Sequence, residues 1–125
     1  MFSMVAIESG SVWNSGIVHS LWNILIIGGG LSISEKADEY SVMTQERRLV
    51  NFLDSIKDCA SAVYLLGDMF DFWYEFKLVV PKGYTRFLGK LSELTDKGVE
   101  VHFFIGNHDI WCGDYLEKEC GVTIH

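Results

Sequence analysis

The chain has 125 residues, of which 49% are hydrophobic and one is proline. That is enough for one domain with a single core, and it excludes a disordered chain. The formal net charge of −7 excludes a sequence-independent nucleic-acid binder, which needs a basic surface. A phosphorylated substrate stays open, because bound cations can supply positive charge locally.

Residues 1–22 mix glycines and serines with apolar residues and show no period, so they read as an irregular segment. "NILII" (23–27) then reads as a buried strand, ended by Gly28-Gly29-Gly30. The run "GIVHSLWNILIIGGG" is the nearest approach to a signal-peptide core. It lacks the basic n-region, since the first Lys or Arg is Lys36, and it is too short to span a bilayer. Residues 31–43 are polar and loop-like.

A helix is expected over 45–57. Thr44 is its N-cap, Glu46 suits the positive end of its dipole, and Leu49, Val50, Phe52, Leu53 and Ile56 share its apolar face. "AVYLL" (62–66) is a short apolar strand followed by "GDMFDFWYEF". A second amphipathic helix is expected over 84–97, with Tyr84, Phe87, Leu88, Leu91 and Leu94 on one face and Gly98 as its stop. "VEVHFFI" (99–105) is the next strand. "GDYLEKECG" is a short helix, with capping-box-like spacing between Asp114 and Glu117 and with Gly121 past its end. "VTIH" begins a last strand. The order β-α-β-α-β-α-β predicts an α/β fold with a parallel sheet, its strand C-termini along one edge.

Two of those C-termini carry dense polar clusters. "AVYLL" ends in Gly67-Asp68-Met69-Phe70-Asp71, and "VHFFI" ends in Gly106-Asn107-His108-Asp109. Ligands of open α/β sheets bind outside the strand C-termini. If the two strands are neighbours, Asp68 and Asn107 enter one crevice. Carboxylate, amide oxygen and imidazole together suit manganese, iron, zinc or a similar divalent ion. A glycine before each cluster lets the backbone turn where a side chain would clash.

"GDMFDFW" with "GNHD" resembles the second and third motifs of the calcineurin-like metallophosphoesterases. The longer run "LLGDMFDFWYEF", the helix, and "VHFFIGNHDIWCGDYLEKECGVTIH" is similar to the UDP-2,3-diacylglucosamine diphosphatases of lipid A synthesis. The resemblance covers residues 44–125. It implies a partial α/β/β/α metallophosphoesterase sandwich, with 23–125 as the N-terminal part of one truncated domain. It also implies two divalent metal ions, manganese foremost. Asp68 would bridge both metals and Asn107 would bind the second. His108 would stabilise the transition state near phosphate, Asp109 would orient His108, and Asp71 would support the site from behind. A metal-activated hydroxide would attack phosphorus in line. The substrate would be UDP-2,3-diacylglucosamine, and the products UMP and 2,3-diacylglucosamine 1-phosphate. A cytoplasmic protein in peripheral contact with the inner membrane surface is the setting this implies.

The same family carries a D-x-H after the first strand, a later lone histidine and a terminal G-H-x-H. The window "GGGLSISEKADEYSVM" (28–43) contains no histidine: Asp38 has none two residues on, and His19 precedes the strand. The distal motifs would lie beyond His125. The expectation is therefore an incomplete copy, weakly active or inactive, with a shifted reading frame or wrong start upstream of Thr44.

Plainer readings stand beside these. Asp68 and Asp71 could close a turn, and His108 could be a turn histidine; the pairing of two clusters is what favours a metal site. His102, inside a strand, reads as packed or half-exposed, and His125 has no assigned role. Phe70, Phe72, Trp73, Tyr74 and Trp111 read mostly as core and crevice wall, with a nucleotide or acyl pocket as the sharper option. Arg47 and Arg48 read as a solvated helix face. Lys77, Lys82 and Arg86 read the same way, with an anionic membrane as the sharper option. Cys59, Cys112 and Cys120, odd in number and without C-x-x-C spacing, read as reduced thiols packed as small hydrophobes. Two rival functions remain. One is a dinucleotide-binding turn at Gly28-Gly29-Gly30, which Ile33 spoils at the third glycine position. The other is a non-catalytic binding fragment.

Overall fold

The computed structural model describes residues 5–9, 24–25 and 39–125. Three strands carry the architecture: β3 (Ala60–Leu66), β4 (Glu100–Phe104) and β5 (Thr123–Ile124). They run parallel as neighbours, with Val63 opposite Val101 and Phe103 opposite Ile124. The helices between them are α2 (Thr85–Asp96) and α3 (Tyr115–Cys120), and α1 (Glu39–Ile56) precedes β3. This is the α/β alternation that the sequence predicts.

The other side of the sheet departs from expectation. A strand β1 (Val5–Ser9) lies in the segment read as irregular, and it pairs antiparallel with β3. The Val-Ala-Ile run is too short to show a period on its own, so its strand character comes from pairing along β3. Of "NILII", Ile24–Leu25 forms β2, which is antiparallel to β1 and sits at the sheet edge rather than as a parallel member. The sheet order is β2-β1-β3-β4-β5. The boundary expected between residues 22 and 23 lies outside the described residues.

Both expected helical faces are core. Leu49 and Leu53 of α1 are fully buried, with Val50, Phe52 and Ile56 packed against them. Phe87, Leu88, Leu91 and Leu94 of α2 are buried together with Tyr84. They meet Val63 and Leu65 of β3, Val101 and Phe103 of β4, and Leu116 of α3 in one cluster. The helices therefore cover one face of the sheet. The opposite face carries Tyr64, His102 and Phe104, where Tyr64 stacks on His102 with centroids 4.8 Å apart. His125 joins them: its Nε2 lies 3.0 Å from His102 Nδ1, and its ring stacks on Phe104.

Three expectations at helix ends are corrected. Thr44 does not cap α1, which begins five residues earlier at Glu39. No glycine or proline interrupts "EYSVM", so nothing stops the helix from extending back through it. Nor does Glu46 serve the end of its own helix. Buried under α2, its Oε1 accepts the Arg86 N–H at 2.8 Å and the Phe87 N–H at 3.2 Å. It thus satisfies two orphan donors of a helix whose own N-cap, Tyr84, makes no side-chain cap. Asp114 precedes α3 without a side-chain cap and pairs instead with Lys118 at 2.6 Å. Among the described residues no helix is long and apolar enough to cross a membrane. All three cysteines are free thiols; Cys120 is buried as expected, whereas Cys59 is exposed.

Candidate metal centre

The parallel register of β3 and β4 places their C-terminal ends side by side, with Leu66 opposite Phe104. The two polar clusters therefore leave the sheet together. After Leu66 the chain turns through two consecutive left-handed residues, Gly67 (φ 74°) and Asp68 (φ 51°). Glycine takes that conformation freely, and aspartate is one of the few other residues that tolerate it. A bent backbone held by an aspartate at a sheet edge is where strain tends to serve function. On the facing loop, a Cβ on Gly106 would come within 2.5 Å of the Asp68 backbone nitrogen. Only glycine lets the two loops approach this closely.

Reciprocal carboxylates tie the loops. Asp68 Oδ1 accepts the His108 N–H at 3.0 Å, and Asp109 Oδ2 accepts the Met69 N–H at 3.1 Å. Asp109 Oδ1 also accepts the N–H of Gly106, within its own loop. The Trp73 N–H donates to the His108 carbonyl at 3.1 Å. Asp109 is fully buried. Burial pushes its carboxyl above the usual range, against the pull of the Gly106 and Met69 amides.

The His108 ring is positioned from the other loop. Its Nδ1 lies 2.7 Å from the carbonyl oxygen of Asp71. A carbonyl can only accept, so Nδ1 carries the proton and Nε2 is the nitrogen left for chemistry. The partner that orients the ring is thus the Asp71 main chain, where the resemblance implies Asp109. Asp109 acts on His108 through the backbone, by fixing the turn on which it sits. Asn107 lies exposed at the same edge.

Carboxylate, amide and imidazole leave adjacent strand ends here, residue types that suit a divalent cation. Among the described residues, no three His, Cys, Asp or Glu side chains are grouped to hold a metal ion. The window in which a D-x-H would fall lies outside the described residues up to Asp38, as do His19 and the rival turn at Gly28-Gly29-Gly30. Residues 39–43 lie in α1.

One organising residue escapes the sequence reading. Glu75 joins the two loops farther out: Oε1 accepts the Trp73 indole N–H at 2.9 Å, and Oε2 accepts the Tyr115 backbone N–H at 3.2 Å. Its only signal is an acidic residue among aromatics in "FWYEF". The partly buried Cys112 thiol beside it is pushed up to about 12 by burial and then by the Glu75 charge, which disfavours the thiolate. The aromatics divide. Phe70 and Trp73 are fully buried core, whereas Phe72, Tyr74 and Trp111 form an exposed rim in which Phe72 and Trp111 lie 5.6 Å apart.

No family model matches the chain. Several curated proteins named UDP-2,3-diacylglucosamine hydrolase are similar to it. One from Porphyromonas gingivalis is 59% identical over 83 residues, covering 66% of this chain and 32% of the relative. One from Neisseria meningitidis is 37% identical over 95 residues, covering 75% of this chain and 37% of the relative. One from Hahella chejuensis is 33% identical over 78 residues, covering 62% and 32%. The chain thus spans about a third of the length of the curated relatives it matches.

Proposed function

We propose that this chain carries part of the active site of a metal-dependent hydrolase that cleaves the pyrophosphate of UDP-2,3-diacylglucosamine, giving UMP and 2,3-diacylglucosamine 1-phosphate. The observation that carries this reading is the interlock of Asp68 with the Asn107–Asp109 turn at adjacent strand ends, in a chain similar to proteins named for that substrate. Asp68 and Asn107 would supply carboxylate and amide oxygens to two divalent ions, manganese the first choice. Such ions, when bound, polarise phosphoryl oxygens and lower the pKa of water. His108, its Nδ1 fixed on the Asp71 carbonyl, would present Nε2 to a phosphate oxygen and stabilise charge developing there. Asp109 would hold the turn rigid, and the place in lipid A synthesis follows from the substrate. A lipid-borne substrate also places the work at the cytoplasmic face of a bilayer.

Among the described residues, two candidate ligands with a histidine beside them hold metal less tightly than a full shell, so slow turnover or none is expected of this chain alone. The test is therefore a chimera in which residues 44–125 replace the matched stretch of the Porphyromonas gingivalis hydrolase, assayed for manganese-dependent UMP release. Activity is expected, with Asp68→Ala and His108→Ala each lowering kcat by at least about a hundredfold. Activity that survives Asp68→Ala would remove the reading.

A further inference from the structure

Between the site loops and α2 the chain makes a small hairpin that neither the core nor the site uses. Phe76 and Val79 close on each other: the Phe76 N–H donates to the Val79 carbonyl at 3.0 Å, and the Val79 N–H to the Phe76 carbonyl at 2.9 Å. Lys77 and Leu78 form the two-residue tip, with Lys77 at φ 53°. The Leu78 side chain is 100% exposed, Val79 64% and Phe76 56%. A fully exposed leucine on a convex tip, flanked by two more apolar residues, calls for an explanation.

Charge indicates the partner. From Phe76 to Ser92 there is no acidic residue but four cations, Lys77, Lys82, Arg86 and Lys90, in a chain of net charge −7. Arg86 pairs with Glu46, and Lys90 with Asp54 and Glu93. Lys77 lies in the tip itself, its Nζ 5.6 Å from the Phe76 ring centroid, and the exposed Lys82 follows the hairpin in sequence.

We propose that the hairpin Phe76–Val79 is a bilayer-contact element, with Leu78 seated at the headgroup–acyl boundary and Lys77 and Lys82 on anionic headgroups. A convex apolar tip needs a complementary pocket in a protein partner but none in a lipid, which deforms around it. The hairpin pairs the Phe76 and Val79 backbone groups with each other, so its arms bring no unsatisfied ladder groups toward the apolar layer, while the tip amides stay at headgroup level. Lysine stems lie along apolar surface while their ammonium groups reach phosphate. This deepens the functional reading, and rests on it only in naming why the protein would visit a bilayer.

The test is co-sedimentation of the full chain at low salt with vesicles of phosphatidylethanolamine containing one quarter phosphatidylglycerol, and separately with phosphatidylcholine vesicles. Binding is expected to the anionic vesicles. Leu78→Glu should weaken it about tenfold or more, and Lys77→Gln with Lys82→Gln by at least about tenfold, since each lysine near an anionic surface contributes about fivefold. Absence of wild-type binding, or variants that bind like wild type, would overturn the proposal. So would a concentration-dependent dimer, formed without vesicles and abolished by Leu78→Glu, which would assign the tip to a second copy. Vesicle binding by a chain whose chimera lacks hydrolysis would leave this inference standing and remove the functional one.

Discussion

Glu75 holds two loops with one carboxylate. Its replacement by alanine leaves the Trp73 indole N–H and the Tyr115 amide without their acceptor. Unsatisfied, partly buried donors cost roughly 1–3 kcal/mol. Urea unfolding should register Glu75→Ala in that range and Glu75→Gln at less, because the amide oxygen still accepts one of the two bonds. Equal stability of Glu75→Ala and wild type would show that water replaces the carboxylate at no cost. Gly106 is the sharper case, because a methyl there meets the Asp68 backbone nitrogen as well as its carboxylate, and the backbone cannot swing away. Gly106→Ala should cost about 1–3 kcal/mol as overpacking does. It should also separate His108 from Asp68. At this scale the sequence shows which residues matter, because two polar clusters after two apolar strands are unusual. It does not show how they divide the work. That the ring of His108 is held by a main-chain carbonyl, and that Asp109 serves backbone amides, depends on the register of two loops that are distant in sequence.

Among the elements, α1 and α2 are joined by charge as well as by leucines. Lys90 of α2 is nearly buried and binds Asp54 of α1 at 2.7 Å. Its ammonium, with that of Lys57, holds the Asp54 carboxyl down at about 2, and Lys90 likewise lowers Glu93. A depressed carboxylate stabilises the fold above its unfolded pKa of about 4 and loses that contribution as pH falls through its folded value. Thermal stability should therefore fall between about pH 4 and pH 2, and Lys90→Met should flatten that part of the profile. An unchanged profile would mean the exposed ends of these pairs are fully screened. Glu46→Ala removes the acceptor at the start of α2 and should cost about 0.5–2 kcal/mol, as loss of a cap does, measurable in the same unfolding experiment. The helical faces were legible because Leu49, Leu53, Phe87, Leu91 and Leu94 repeat with the helical period. The role of Glu46 was not, because it is decided by a neighbouring helix forty residues away, and the start of α1 was not, because "EYSVM" carries no start signal of its own. Five residues of β1 carry too little pattern to announce themselves without β3 beside them.

At the scale of the whole molecule, one sheet covered by helices on one side delivers two loops to one edge. The matched relatives are about three times as long as the part of them this chain spans. Asp68 and Asn107 are proposed to present oxygen ligands to a divalent ion at that edge. Electron paramagnetic resonance of manganese titrated into the chain tests it without any need for turnover. Saturable but weak binding is expected, with the free-manganese signal restored by Asp68→Ala and largely restored by Asn107→Ala, while Glu100→Ala at the opposite end of β4 leaves binding unchanged. Binding that persists undiminished in Asp68→Ala would contradict it.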